Sequence, residues 1–500
     1  MAILRNKVLY VLNDENVYEI FTTVKKEIFL TADTISNDIY SYGGNEYNIA
    51  IKSPVSKKVV RIYLLNNDES LKQDISEFIT EWDLEFQYQQ GITRTGNLTI
   101  INLNQEWNPH PLKKTVWKGS KFKIEIGIYY NDIVFWRDCG IYVCGDITVD
   151  TSNNTISFPI YDKFALLDGT IGGKRVSSFS IPKGTLIKDA IKLCLSEHKD
   201  NLGEAINVST LPSVVDAIKT LSLPSSVDSI GRVYYITTTK TYYYWSSKNK
   251  AVIMNGNMFK IPKSSKIYRF DGKRYIELKK EVFDIKPILF PAKYLNEKTP
   301  YTITKDPNGT IGEIIIELAD MISCDVYYNT TGNLVLNTGA VTNDDLSNKS
   351  VLWSYNEKYN QCTQPTYDIK FSELINQVIV AGSIANGYQY KASVVNDNPK
   401  SQMNIYMTEP NPLYIEDTNL IGDDYCLTRA KYEMIKQGRL SIQINFDSIY
   451  IPHLDCNFLF LLTNAKLGIE NEKFVINTIK IKQDMTMTIT ASNVDEVSFE

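Results

Sequence analysis

The sequence predicts an α+β fold that is predominantly β: two β-barrel-like domains flanking small α/β modules, with an inserted pair of β-hairpin repeats. Three observations carry that prediction. Apolar and polar residues alternate along much of residues 1–172 and again from 346 onward, the period of half-buried strands. Helical spacing is confined to three short stretches. Between two of them lies a sequence that repeats itself at an offset of 25 residues.

The 500 residues, 43% of them hydrophobic, suffice for several cores, and ordinary domain sizes divide them into roughly three or four. The first expected domain, 1–172, is strand-rich. "KFKIEIGIYYNDIVFWRDCGIYVCGDITVD" (121–150) alternates and turns at "NDI" and "DCG", and "NTISFPIYDKF" repeats the pattern. Antiparallel sheet, as a barrel or sandwich, follows. The segment closes on "YDKFALLDGTIGG" (161–173), where an acid, a base, aromatics and glycines crowd together. A phosphate loop there would need four residues between its glycines and a Ser or Thr after the lysine. Only three residues separate Gly169 from Gly173, and Arg175 follows Lys174, so that reading fails twice.

Residues 173–204 and 281–345 read as α/β modules. In "SIPKGTLIKDAIKLCLSEH" the residues Leu186, Ile187, Ala190, Ile191 and Leu195 fall at helical spacing. In "PNGTIGEIIIELADMISCDVYYNTTGNLVLN" an Asn-Gly corner precedes a helix on Ile311, Ile314, Ile315, Leu318, Ala319 and Ile322, followed by a strand pair joined at "TTGN". Between the modules, 205–280 holds the repeat. "VYYITTTKTYYYWSSKNKAVI" (233–253) aligns without a gap on "MFKIPKSSKIYRFDGKRYIEL" (258–278), matching Tyr243 with Tyr268 and Trp245 with Phe270. Each copy reads as three strands, and two copies are too few for a solenoid. The last domain, 346–500, is strand-rich with one helix, for which Asp423 and Asp424 suit the start and Gly438 the stop; Leu427, Ala430, Met434 and Ile435 form its inward stripe.

Chemistry-bearing patterns are scarce. The three histidines, His110, His198 and His453, stand in no catalytic setting and read as surface or loop residues. Cys139 and Cys144, five positions apart along an extended strand, point to opposite faces and have no nearby partners to complete a zinc site. The carboxylate pairs Asp344–Asp345 and Asp423–Asp424 are of a kind common in loops and caps. No catalytic, cofactor-binding or metal-binding residue is assigned. The aromatics of the repeat, Tyr243, Trp245, Tyr268 and Phe270 above all, are candidates for a partner or glycan contact, set against the plainer reading that they form the small core of each hairpin.

A net charge of −5 without a basic tract argues against nucleic-acid binding. The N-terminus "MAILRNKVLYVLNDENVYEI" breaks its apolar runs with Arg5, Lys7, Asn13, Asp14 and Glu15, so the expectation is a soluble chain made in a cytoplasm, with neither signal peptide nor membrane anchor. Seven scattered cysteines suit reduced, buried thiols.

Several segments in order, "ISEFITEWDLEFQYQQGITRTGNLTIIN", "WNPHP", "VWKGSKFKIEIG", "IVFWRDCGIYV" and "DKFALLDGT", resemble the N-terminal part of tail hub proteins of bacteriophages and phage-tail-like particles. "PKGTLIKDAIKLCL" and "NGTIGEIIIELADMISCDVYYNTTGNLVLN" resemble their α/β modules, and "LINQVIVAGSIANGYQYKASVVNDNPKS" and "IPHLDCNFLFL" their closing barrel. The resemblance spans most of the chain apart from about 1–55 and 205–285. It implies a homotrimeric, non-enzymatic hub in the virion tail, with two barrels per chain arranged in a ring. The implied partners are a distal tail or tail tube protein, the tape measure protein, tip, spike or receptor-binding proteins and the host cell surface. It implies no cofactor, no sequence-specific nucleic acid and no integral membrane. On this resemblance "DKFALLDGT" is the exit of the first barrel: Phe164, Leu166 and Leu167 plug the junction, and Gly169, Gly172 and Gly173 let the chain turn. The alternatives are a cell-wall hydrolase or a glycan-binding receptor-recognition protein of the tail.

Overall fold

The computed structural model describes residues 2–493 apart from 6, 13–17, 31–43, 54, 67–68, 110–115, 176–177, 197–217, 221–232, 237–240, 248–249, 256–257, 261–266, 271–274, 278–287, 323, 338–350, 357–361, 370–374, 402, 419 and 438–441, and between 218 and 277 it describes the backbone ladder. The fold is α+β and predominantly β. Two compact units divide it: residues 1–190 with 286–500, and residues 191–285.

In the larger unit, β1 (Ala2–Arg5), β2 (Val8–Leu12), β3 (Tyr18–Thr23) and β4 (Lys26–Leu30) precede helix α1 (Gly44–Lys52), which the strand-like texture of the N-terminal sequence does not foretell. There follow β5 (Lys57–Leu65), β6 (Leu71–Asp74), β7 (Ile79–Gln87), β8 (Arg94–Ile101), β9 (Lys121–Tyr130), β10 (Ile133–Cys144), β11 (Thr148–Asp150) and β12 (Thr155–Asp162). Antiparallel neighbours run β7, β8, β12, β10, β9, β5, β6. The chain then bends from β6 into β7 through a 3-10 turn at Ser76–Phe78. The sheet therefore curls back toward its own start, pinned where Ile75 N donates to Ile62 O and Ile62 N donates to Ser76 Oγ. Among the described residues it does not close into a complete barrel by strand pairing.

The alternation read from the sequence is what fills this curl. Ile62, Leu84, Leu98, Ile124, Phe158 and Ile160 all belong to one buried core, each side chain contributing about 1.5–3 kcal/mol by leaving water. One expected turn is absent. "NDI" is a turn, with Asn131 and Asp132 both at positive φ, but "DCG" is a β-bulge inside β10, where the register against β9 shifts between Asp138 and Gly140. The extra residue changes the parity of the strand. Cys139 and Cys144, expected on opposite faces, consequently both join the same core.

Beyond β12 come β13 (Phe179–Ile181) and helix α2 (Ile187–Ser196), on which Ile187, Ala190, Ile191, Cys194 and Leu195 are buried. The smaller unit carries a seven-stranded sheet in sequence order: β14 (Ile218–Thr220), β15 (Val233–Ile236), β16 (Thr241–Ser247), β17 (Lys250–Asn255), β18 (Met258–Lys260), β19 (Ile267–Phe270) and β20 (Tyr275–Glu277). Strands β15 and β18 start 25 residues apart, as do β17 and β20, so the strand pattern follows the sequence repeat.

Back in the larger unit, β21 (Ile303–Lys305) pairs with β13 and leads to α3 (Ile311–Asp320). A capping box starts α3: Glu313 N donates to Thr310 Oγ1 and Thr310 N to the Glu313 carboxylate. Ile311, Ile314, Ile315, Leu318, Ala319 and Ile322 are all buried, as their spacing requires. Strands β22 (Asp325–Tyr328) and β23 (Leu334–Asn337) form the hairpin around Gly332.

The C-terminal part contains β24 (Trp353–Asn356), β25 (Thr366–Ile369), β26 (Gln377–Ala385), β27 (Tyr388–Val395), β28 (Pro412–Glu416), α4 (Asp423–Gln437), β29 (Ile442–Ile449), β30 (Leu459–Asn464), β31 (Ile469–Lys482) and β32 (Thr486–Asn493). Its strands fall in two separate sheets, where the sequence suggests one barrel. β26, β27 and β28 form a separate three-stranded sheet covered by α4, with Val378, Val380 and Val394 against Cys426, Ala430 and Met434. The others order as β24, β30, β31, β32, β29, β25. The far end of β31 also pairs with β7, Thr478 opposite Gln87 through Lys482 opposite Asp83, and so joins both β segments in one 18-stranded sheet.

Candidate functional site

The β7–β31 ladder makes the junction of the two segments the natural place to look for function, and it carries an unusual density of buried charge. Arg94 opens β8 at an inward position, in line with Leu98 and Ile100. Its guanidinium reaches both oxygens of Asp455, at 3.1 and 2.9 Å, and donates to Tyr328 O. Arg137, from β10, donates to the same carboxylate at 2.7 Å and to Pro452 O. All three charged residues are buried. Burial alone would raise the Asp455 carboxyl, but Arg94 and Arg137 outweigh it and hold the group below its ordinary range.

Behind Arg94 lies Asp162, the last residue of β12. One carboxylate oxygen accepts from Thr93 N, Thr93 Oγ1 and Arg94 N, and the other accepts from Phe164 N. Burial nevertheless pushes this carboxyl up to about 6. Lys163, fully buried, pairs with Glu69 at 2.7 Å and donates to Gly332 O in the β22–β23 hairpin. Asp325, at the start of β22, accepts from Tyr88 beyond β7 and from Tyr432 and Lys436 of α4. Three segments far apart in sequence are thereby tied by carboxylates that each receive several donors.

The "DKFALLDGT" corner sits within this junction. Phe164, Leu166 and Leu167 are buried, and Asp162 caps the short 3-10 turn that carries Phe164 and Leu166. Gly169 and Gly173 lie at positive φ. Gly173 has no alternative, since a Cβ there would stand 2.1 Å from Leu167 O. Gly172 is not at positive φ; its place is set by Leu166 O close by. The corner is structural.

A cleft of about 540 Å³ opens beside Arg94, Arg137 and Asp455, walled by Phe86, Tyr327 and Phe458. Its charged floor is already internally paired: the two guanidiniums face Asp455, with Asp162 adjoining Arg94. The arrangement fixes position and compensates charge. Among the described residues no group of three His, Cys, Asp or Glu side chains could hold a metal ion, and no helix is long and apolar enough to cross a membrane.

His453 departs from its expected surface place. It is 1% exposed, with Nδ1 2.8 Å from Tyr47 Oη on α1 and Nε2 3.0 Å from Leu352 O. Burial, with Arg137 adding to it, pushes the imidazole down to about 4. His110 and His198 lie outside the described residues, as do Asp344, Asp345 and Gly438. Asp423 opens α4 and accepts from Lys391 N and Tyr388 Oη.

The repeat aromatics are placed by register. Tyr243 pairs with Tyr234 and Ile253, and Trp245 lies on that same face of the sheet. Tyr268 pairs with Phe259 and Glu277, and Phe270 shares its face. Followed across β17 and β18, the ladder puts the first two positions on one face and the last two on the other. A repeat of three strands reverses direction from copy to copy, and here it also exchanges faces.

No family model and no curated protein matches the chain. Among solved structures, it is similar to a tail protein from Neisseria meningitidis MC58 at 10% identity and a TM-score of 0.48, covering 88% of this chain and 97% of that one. A 43 kDa tail protein of prophage MuSo2 from Shewanella oneidensis gives 10% and 0.46, covering 87% and 98%. The prophage tail protein gp18 from Listeria monocytogenes EGD-e gives 10% and 0.41, covering 87% and 94%.

Proposed function

We propose that the chain is a structural hub of the tail tip or baseplate of a phage or phage-tail-like particle: a trimer connecting the tail tube or distal tail ring to the tip, lining or closing the channel. The observation that supports this reading is the fusion of the two terminal β segments into one sheet through β7 and β31, locked by the Asp455 and Asp325 clusters. A part that passes load from tube to tip must be stiff across its own width. Buried, multiply bonded carboxylates between elements supply that stiffness. The sequence segments that resemble tail hubs, "DKFALLDGT" among them, fall on these same elements.

On this reading the domains are 1–172 and 346–500 as the two hub domains, 173–204 with 281–345 as connecting modules, and 205–280 as an addition. The chain acts in the virion tail, structurally rather than enzymatically. Its partners are two further copies, a distal tail or tube protein, the tape measure protein, and tip or receptor-binding proteins. Light scattering on the purified chain should give about three times 57.1 kDa, and averaged particle images should place it on the tail axis. A monomer absent from the axis would overturn the reading. Lysis of purified cell wall on a zymogram would favour the hydrolase instead.

A further inference from the structure

The turn at 404–408, between β27 and β28, holds two large side chains out in water on a stiff backbone. Tyr406 is 85% and Met407 74% exposed. The asparagines that fix the chain beneath them, Asn376, Asn396 and Asn404, are buried. Asn404 Oδ1 accepts from Tyr406 N at 2.8 Å and Asn404 O from Met407 N at 2.9 Å, while Asn404 Nδ2 donates to Asp397 O. Asn396 O accepts from Ile405 N, and Asn376 Nδ2 donates to Thr408 Oγ1. A satisfied buried polar network specifies one conformation. The turn therefore has little backbone freedom left to lose on docking.

The cleft beside Arg94 is the matching hollow. Phe86, Tyr327 and Phe458 wall it, and Gln87, Gln89 and Thr331 also line it. Each charged residue lining it is paired: Arg94 and Arg137 with Asp455, and Asp138 with Lys123. A further charge brought there would be desolvated without a counter-charge, so the cleft selects an uncharged group with an apolar body and a polar tip. Residues 405–408, Ile-Tyr-Met-Thr, carry no charge. They do not fill the cleft of their own chain, since Tyr406 stands almost wholly in solvent.

We propose that Tyr406 and Met407 of one copy seat in the Arg94 cleft of the next copy. The cleft of about 540 Å³ lies in the range that takes a whole small ligand, so both side chains can enter. An aromatic side chain buries about 150–250 Å², so one such contact falls well short of the roughly 800 Å² per partner of a stable pair. Two copies alone would separate. A closed head-to-tail ring, in which every copy both gives a turn and receives one, holds each copy twice. This inference rests on the trimer reading above and names the contact that closes it.

Light scattering on the parent chain tests that reading by itself, and a monomer overturns both. With a trimeric parent, Tyr406→Ala should raise the concentration of half-assembly about thirtyfold or more, the loss of a hot-spot tyrosine, while Tyr406→Phe keeps the ring and stays within about threefold. The trimer should give way to monomer without a dimer between. Disulfide mapping locates the contact independently. A chain carrying both Tyr406→Cys and Gln89→Cys should link to its neighbours under mild oxidation, with peptides joining position 406 to 89 or to Cys456, which also lines the cleft. A Tyr406→Ala chain that assembles like its trimeric parent overturns the inference and leaves the trimer reading standing. So does a trimer in which position 406 links to nothing in the cleft.

Discussion

Asp455 and Arg94 meet 361 positions apart in the chain, the carboxylate accepting from the guanidinium at 2.9 and 3.1 Å. With Arg137 on the same carboxylate, this contact joins the first β segment to the last. Replacing Asp455 by Ala leaves two buried guanidiniums without their counter-charge. The expected loss is about 3–5 kcal/mol, read by urea unfolding, with Asp455→Asn retaining part of it through hydrogen bonding. A loss below about 1 kcal/mol, the range of exposed pairs, would show that the cluster does not hold the halves together.

Stability should fall on acidification through His453. Its folded imidazole is pushed to about 4, whereas the unfolded chain titrates near 6.5. Above pH 6.5 both states are neutral and the group contributes nothing. Between 6.5 and 4 only the unfolded state takes the proton, so up to about 3 kcal/mol is lost over that window, after which the term levels off. A His453→Gln chain should show a shallower pH dependence between those limits; an identical slope would remove His453 from the account.

Two glycine positions separate backbone strain from collision. Gly184 and Gly173 both lie at positive φ, but nothing stands within 4 Å of a Cβ at Gly184, and Leu167 O stands 2.1 Å from one at Gly173. Gly184→Ala should cost about 1–2 kcal/mol, the left-handed penalty alone. Gly173→Ala should cost more than about 3 kcal/mol, since the backbone at Leu167 must move. Thermal unfolding of the two variants side by side decides it, and equal losses would deny Gly173 its role in the corner.

The Thr310 cap offers a milder check. Thr310→Ala removes the acceptor for Glu313 N and should cost about 1 kcal/mol, whereas Thr310→Ser should be near neutral. Hydrogen exchange of the first α3 amides reports the change directly.

Where one face or one period dominates, the sequence shows the structure. The α3 stripe, the strands of the curled sheet and the spacing of the strand repeat follow from residues a few positions apart. What escapes is parity and pairing at long range. The bulge at Cys139 shifts a strand by one residue, and no local rule announces it. Helix α4 buries Tyr432 and Glu433 as well as Ala430 and Met434 of its expected stripe, while Leu427 and Ile435 are half-buried, because a second side meets Asp325 and Asp320. Arg94, Arg137 and Asp455 are single residues on separate elements. The one local signal is an arginine at an inward strand position, the first residue of β8, where an apolar residue belongs.

The pairing of β7 with β31 also governs how this chain can be made. During synthesis β31 begins 390 positions after β7, so one edge of the first curled sheet stands bare until that whole stretch has left the ribosome. Uncovered edges invite pairing with the wrong strand. Truncated versions lacking the last segment should precipitate rather than persist as small folded pieces, and slow translation between the two strands should demand chaperone cover.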